Sequence, residues 1–392
     1  MDTVLFQLIG GDNVFSWVIW LAFMVVFFLF YPKIMLSQIM WKLEKSARDL
    51  EILSEKSKKI VIESISKKPD KRIRDSVSSF FEFFVITPVS LDPSGIVARL
   101  DHVLKSQRDR FRYFVKQVAP KMDEEKRASI EMGLAGGMTV NEIAKIVRHY
   151  VETVRKTKSV QIAMVLQMQL PLIERLAKSM FKGTKAMSAG DPIGDSIGPL
   201  VATEIIGGKK TTEVEDGIVM AKVKMKGRDA FVLKARGPGG RIGFPGKAVK
   251  NIIEKNKIAR VITIDAAAKL EGEKTGTVAE GVGVAMGGPG VERSYIEEIV
   301  TKNDIPLDSV IVKMSPEQAI EPMRKPIKDA IPKVMKGIEN SIERTKKGDK
   351  IVILGVGNSS GVGDSAKDIE KLKKLVDSYE KKLKAEKKKN NN

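Results

Sequence analysis

No cysteine occurs in the 392-residue chain, which excludes disulfides, thiolate metal sites, iron–sulfur clusters and cysteine nucleophiles together. Histidine is nearly as scarce. His102 and His149 both fall in helical patterns, no HExxH zinc pair can be written, and no Ser-His-Asp constellation suggests itself. Chemistry, if there is any, must come from carboxylates, hydroxyls, lysines and backbone amides. Acidic residues are also in deficit, 49 against 68 lysines and arginines, a net charge of +19. Such a chain is drawn to anionic surfaces, and lipid headgroups and nucleic acid both qualify. A thermophilic protein with a lysine-rich, ion-paired surface would show the same 30% charged composition. Charge alone does not choose a partner.

What is present is a long uncharged run. Residues 14–31, VFSWVIWLAFMVVFFLFY, carry no charge over a length at the lower end of what spans a hydrocarbon core as a helix. Trp17, Trp20 and Tyr31 suit the two headgroup layers, and the apolar stretch 4–9 can deepen the insertion. A cleaved signal peptide fits less well, because no basic residue precedes the run and no small-residue cleavage site follows it. Lys33, Lys42, Lys45 and Arg48 follow the span. The positive-inside rule therefore places the N-terminus outside the cell membrane and the bulk of the chain in the cytoplasm. Membrane lipids are the expected partners; nucleic acid is not expected.

Beyond the span, Leu36, Ile39, Met40, Leu43, Leu50, Leu53, Ile60 and Ile65 repeat at helical spacing, and Pro69 closes that helix. A second amphipathic stretch from Arg72 runs into Phe80, Phe81, Phe83 and Phe84, which read either as an interfacial helix or, at twice the weight, as core. Residues 94–182 read as several helices, with turns at Pro120 and at Gly133, Gly136 and Gly137, where Thr139 can cap the next helix. The uncharged run 159–173 is short and polar for a second span. It reads as a buried or subunit-contacting helix, with Met164 and Met168 on the contact face and a homo-oligomer as the consequence.

After about Ala186 glycine becomes dense and short β-branched runs alternate with helical patterns. Strands are expected at 230–235, 259–265, 277–286, 308–314 and 350–356, with helices at 246–256, 291–302 and 316–346. The expected architecture is an N-terminal transmembrane helix, an all-α middle region and a C-terminal three-layer α/β domain with a mostly parallel sheet. In chain order that gives a transmembrane anchor (1–32), a juxtamembrane helix (33–70), a helical region (71–185), the α/β domain (186–366) and a basic helix and tail (367–392).

In open α/β sheets ligands bind beyond the carboxyl ends of the strands. Candidate ligand-binding residues there are Asp191 and Gly194 in AGDPIGDSIGP, Gly239, Gly240 and Lys247 in GPGGRIGFPGK, and Gly357, Asn358 and Asp364 in GVGNSSGVGDS. As a nucleotide site the fit is poor: in G-x-x-x-x-G-K-[ST], Arg241 stands where the first glycine belongs and Ala248 replaces the metal-binding hydroxyl.

The segments GDSIGPLVATEI, VITIDAAA and GVGVAMGGPGVERS resemble, in order, motifs of the hydrogenase-maturation-protease and germination-protease-like α/β fold. That resemblance implies a carboxylate pair, Asp195 and Asp265, as catalytic residues and as ligands of a candidate divalent metal. It also requires a permuted order, in which the last strand of the chain takes the first position of the sheet. The histidine of some metallo-members has no counterpart at Gly287, Gly288, Pro289 and Gly290. Taken whole, including the anchor and residues 147–174, the chain resembles an uncharacterised archaeal membrane-protein family, domain of unknown function 1512, which implies an archaeal membrane and no activity. Two functions stay open: a membrane scaffold binding a small ligand, and a carboxylate-based, metal-assisted hydrolase or peptidase.

Overall fold

The computed structural model describes residues 14–88 and 95–390, so the apolar stretch 4–9 and the last two residues of the tail lie outside the described residues. The first element, α1 (Val14–Ile65), is a single 52-residue helix that carries Pro32 inside it. The expected anchor and juxtamembrane helix are therefore one continuous rod. Its first part is long and apolar enough to cross a membrane, and every large hydrophobic from Trp17 to Tyr31 is exposed. Further along, Ile39, Leu43, Ala47 and Leu50 recur three and four residues apart, and all are buried. That is the spacing of a seam packed against other helices. The rod ends at Ile65, and Asp70 caps α2 (Lys71–Phe80) by accepting the N–H of Ile73 at 2.8 Å.

Next come α3 (Ile96–Val118), α4 (Glu124–Thr157) and α5 (Val160–Ala189). Pro120 marks a turn as expected, but Gly133, Gly136 and Gly137 lie inside α4. They permit close approach instead of a turn. A Cβ at Gly133 would lie 1.9 Å from Ser188 Oγ, and one at Gly136 2.7 Å from Thr184 Oγ1. Thr139 caps nothing and donates to Ala135 O four residues back.

The chain forms two compact units. One contains 14–53 and 141–177, and the other the described residues of 54–140 and 178–392. In the first, the α1 seam meets Val147, Val151, Leu166 and Leu170. Arg148 forks between Glu51, taken through Nε and Nη2, and Glu44. Met164, Val165, Met168 and Leu172 stay exposed on α5. In the second unit Phe81 is buried and Phe80 stacks on Phe114 with ring centres 4.0 Å apart, so most of the aromatic cluster is core; Phe84 is exposed.

The α/β part begins with a 3-10 turn at Gly194–Ser196 running into α6 (Ile197–Ile206). It continues through β1 (Thr212–Glu215), β2 (Ile218–Met225), β3 (Arg228–Ala235), α7 (Pro245–Lys255), β4 (Arg260–Ala268), β5 (Thr277–Val282), α8 (Val291–Lys302) and β6 (Leu307–Met314). Short helices α9 (Pro316–Ile320) and α10 (Lys325–Lys328) and the longer α11 (Ile331–Glu343) precede β7 (Lys350–Gly355) and α12 (Ala366–Asn390). The sheet order is β1-β2-β3-β7-β4-β6-β5. β3, β7, β4 and β6 are parallel, whereas β1, β2 and β5 pair antiparallel at the edges. The sheet is thus mixed where a mostly parallel one was expected. The unforeseen hairpin turns on Asp216 and Gly217, and Gly217 adopts φ +73°.

One face of the sheet packs on α6, α11 and α12 through residues such as Leu200, Ile338 and Leu372. The other packs on α7 and α8 through Val249, Ile252 and Ile296. β7, the last strand, lies between β3 and β4.

Candidate functional site

The carboxyl ends of β4, β6 and β7 open into a cavity of about 440 Å³ whose lining includes Asp195, Asp265, Phe244, Arg108 and Gly357. Asp265 comes from β4. Alternation along that strand puts Ile262 and Ile264 in the core under α6 and α11, and Val261 in the core under α7 and α8. Asp265 shares the parity of Val261 and so the α7/α8 face. It is 4% exposed, and its Oδ1 accepts the N–H of Ala266 at 2.6 Å.

Asp195 arrives on the 3-10 turn before α6. It is half-buried, and its Oδ2 accepts the N–H of Asn358 at 2.8 Å. Seating this turn depends on glycine. A Cβ on Gly357, where φ is +124°, would lie 2.1 Å from Asp195 O, and one on Gly194 2.0 Å from Gln318 O. Ser360 Oγ donates to Asp191 O, and Ser196 Oγ to Ser360 O, so the turn and the loop after β7 are laced together.

Burial pushes the Asp265 carboxyl well above the usual carboxylate range, and the Asp195 charge beside it pushes the same way, against one backbone N–H. Burial also raises Asp195, opposed by the Asn358 amide. Among the described residues, no basic side chain offsets the rise in either carboxyl. Like charges with little solvent between them hold a proton in common, and the pair titrates as a unit. As metal ligands they form a small set, since no group of three or more His, Cys, Asp or Glu able to hold a metal occurs among the described residues. A divalent ion here would draw its other ligands from water and ligand oxygens.

Two models of one protein family match the chain: the N-terminal domain of the protein of unknown function DUF1512 over residues 17–190, and the C-terminal domain of unknown function (DUF1512) over 193–363. The chain belongs to the DUF1512 family. No curated protein and no solved structure matches it. The two matched regions of this DUF1512 protein abut at the loop that delivers Asp195.

The other candidate residues fall elsewhere. Asp364 accepts from Lys234 Nζ at 2.5 Å and so compensates a lysine that has no exposed surface; it does not join the acid pair. Gly239 donates its N–H to Glu125 Oε2 at 2.7 Å, and Gly240 lines a separate cavity of about 200 Å³ with Glu131 and Arg241. Lys247 is held by Asp101 at 2.8 Å. The N-terminus of α7, the place a phosphate would take, is filled by Glu292, which accepts from Gly246 N at 2.7 Å and Lys247 N at 3.3 Å. The GFPGK segment of this DUF1512 chain is thus satisfied internally. Asn358 and Ser359 are likewise spent on Asp195 and on the Arg236 and Gly239 carbonyls.

Sequence reasoning missed Arg108, whose Nη1 donates to Gly243 O at 2.7 Å while its guanidinium lies 4.0 Å from the Phe244 ring centre. It also missed Glu131, which burial raises to about 7. Both sit in long helices with no loop motif to mark them.

Proposed function

We propose that this DUF1512 protein is a membrane-anchored hydrolase whose α/β domain works on the cytoplasmic side through Asp195 and Asp265. One observation carries the reading: two carboxylates from different elements, both raised by burial, line one cavity at the carboxyl end of a parallel strand pair. In this reading the raised pair shares one proton at the working pH, with one member ionised and the other protonated. The ionised member takes a proton from a water whose oxygen attacks a carbonyl carbon. The protonated member gives its proton to the carbonyl oxygen, and collapse of the adduct expels the leaving group with a proton, so that H and OH of one water are added across the broken bond.

The test needs no substrate. The wild-type protein in lipid nanodiscs should show, by infrared difference spectroscopy near pH 7, a protonated carboxyl band that both Asp195→Asn and Asp265→Asn perturb. Absence of that band, or indifference to both substitutions, rejects the shared proton and the mechanism built on it.

The anchor belongs to the same reading. Lys33, Lys42, Lys45 and Arg48 directly after the apolar run support a cytoplasmic α/β domain. Protease added outside intact cells should leave that domain uncut, and digestion from outside would reverse the orientation. Copies anchored alike share one orientation, and the exposed Met164, Val165, Met168 and Leu172 face of α5 supports association between them.

A further inference from the structure

β6 accompanies β4 along nearly its whole length, from Val261 to Ala268, but β7 stays beside it only as far as the pair Ile264 and Gly355. The last bond on that side is Val356 N–H to Ile264 O at 2.8 Å. In a strand the amide groups point alternately left and right. Val261 and Lys269 donate toward β6, to Pro306 O and Met314 O, so Ile264, Ala266 and Ala268 turn theirs toward β7. At Ala266 and Ala268 β7 is gone, because the chain has bent away through Gly357.

Ala266 gives its N–H to Asp265 Oδ1. Its carbonyl, and both amide groups of Ala268, have no hydrogen-bond partner among the described residues. Ala266, Ala267 and Ala268 line the cavity of Asp195 and Asp265; the first two are half-buried and the third exposed. The side chains of these three residues are methyl groups.

We propose that the cavity takes an extended polypeptide, bound as an added strand on the β4 edge from Ala266 to Ala268. This rests on the hydrolytic reading and names its substrate class. An unpaired strand edge is a template for another strand. A polypeptide is the ligand that presents N–H and C=O in the matching alternation, and a strand laid there passes the acid pair. Phosphate-bearing ligands are served poorly by the same cavity: the α7 N-terminus is filled by Glu292 and Lys247 is held by Asp101. The free edge is short, so side chains on the far wall, Phe244 and Met286 among them, must supply the rest of the affinity.

The assay uses full-length Asp265→Asn protein in nanodiscs, equilibrated with a randomised library of capped hexapeptides; retained members are sequenced and resynthesised with one backbone amide methylated at a time. Methylation should weaken binding about tenfold or more at alternate positions and little at those between. Ala268→Pro, which removes an N–H facing the slot and none facing β6, should weaken every retained peptide while leaving the melting temperature within a few degrees. Retention of no peptide, or a methylation profile without a period of two, overturns the proposal. Because binding is read without turnover, periodic binding by a protein that hydrolyses nothing leaves this inference standing and removes the hydrolytic reading. Ester hydrolysis with no peptide retained does the reverse.

Discussion

Asp265→Asn should make the protein more stable at neutral pH while reducing its turnover about 100- to 10,000-fold, the usual worth of a general acid or base. The direction of the stability change follows from linkage. Burial and the Asp195 charge raise the folded-state pKa of Asp265 above its unfolded value. Between those two values the folded protein holds a proton that the unfolded chain releases. The contribution of this group is therefore greatest below about pH 4, falls as pH rises through the window, and levels off once the folded state also ionises. Asparagine keeps an Oδ1 for the Ala266 N–H, carries no charge and ends the repulsion on Asp195. The variant should melt about 2–4 °C higher for each kcal/mol relieved, with the gap to wild type closing toward acid pH. Melting curves from pH 4 to 8 check this. A variant that melts lower than wild type at pH 7 would mean that the carboxylate is stabilised in place, by a bound cation or otherwise. Adding a chelator to the wild type separates the metal case, since removal of such a cation would lower the wild-type melting temperature.

Legibility in the sequence followed the strength of the local signal. β4, β6 and β7 are short β-branched runs bounded by glycine or charge, and their positions could be read within a few residues. The start of α7 could be read to within one residue, because Phe-Pro marks a first turn. The place of β7 between β3 and β4 could not be read from propensity.

Strand β2 escaped because its second half, KVKM, alternates lysine with apolar residues and looks like a solvated segment. The Asp216-Gly217 turn was the available clue. The glycines of α4 were misread for a related reason. Glycine at a turn and glycine at a close helix crossing look alike in sequence, and only the crossing partner, Ser188 or Thr184, separates them. In the site, a carboxylate ending a strand was legible as a candidate. Which loop glycines face a ligand and which face protein was not, because Gly239, Gly194 and Gly357 share one composition and differ only in what packs over them.

Gly198→Ala should cost the fold more than about 3 kcal/mol, at the upper end of what an added methyl does in a packed core. The helix α6 begins one residue earlier and lies directly on the ends of β4 and β7: a Cβ at Gly198 would stand 2.0 Å from Val356 O and 2.6 Å from Ile264 O. Gly355 meets the same contact from below, its own Cβ position lying 2.3 Å from Gly198 O. Backbone is on both sides, so no side chain can swing away to make room. The 0% exposure of Ile197, Leu200 and Val201 leaves the helix no slack to slide. Asp195 stands three residues before Gly198 on the same turn. Lifting the helix must therefore carry Asp195 away from Asp265, and the pH dependence that the pair imposes on stability should shrink with it. Gly272→Ala is the control: its φ of +87° gives it a backbone cost near 1 kcal/mol, but nothing lies within 4 Å of the new methyl. Melting curves of the two variants across pH decide the matter. If Gly198→Ala costs no more than Gly272→Ala and keeps the wild-type pH profile, α6 does not rest on the strand ends and the acid pair is not assembled by that contact.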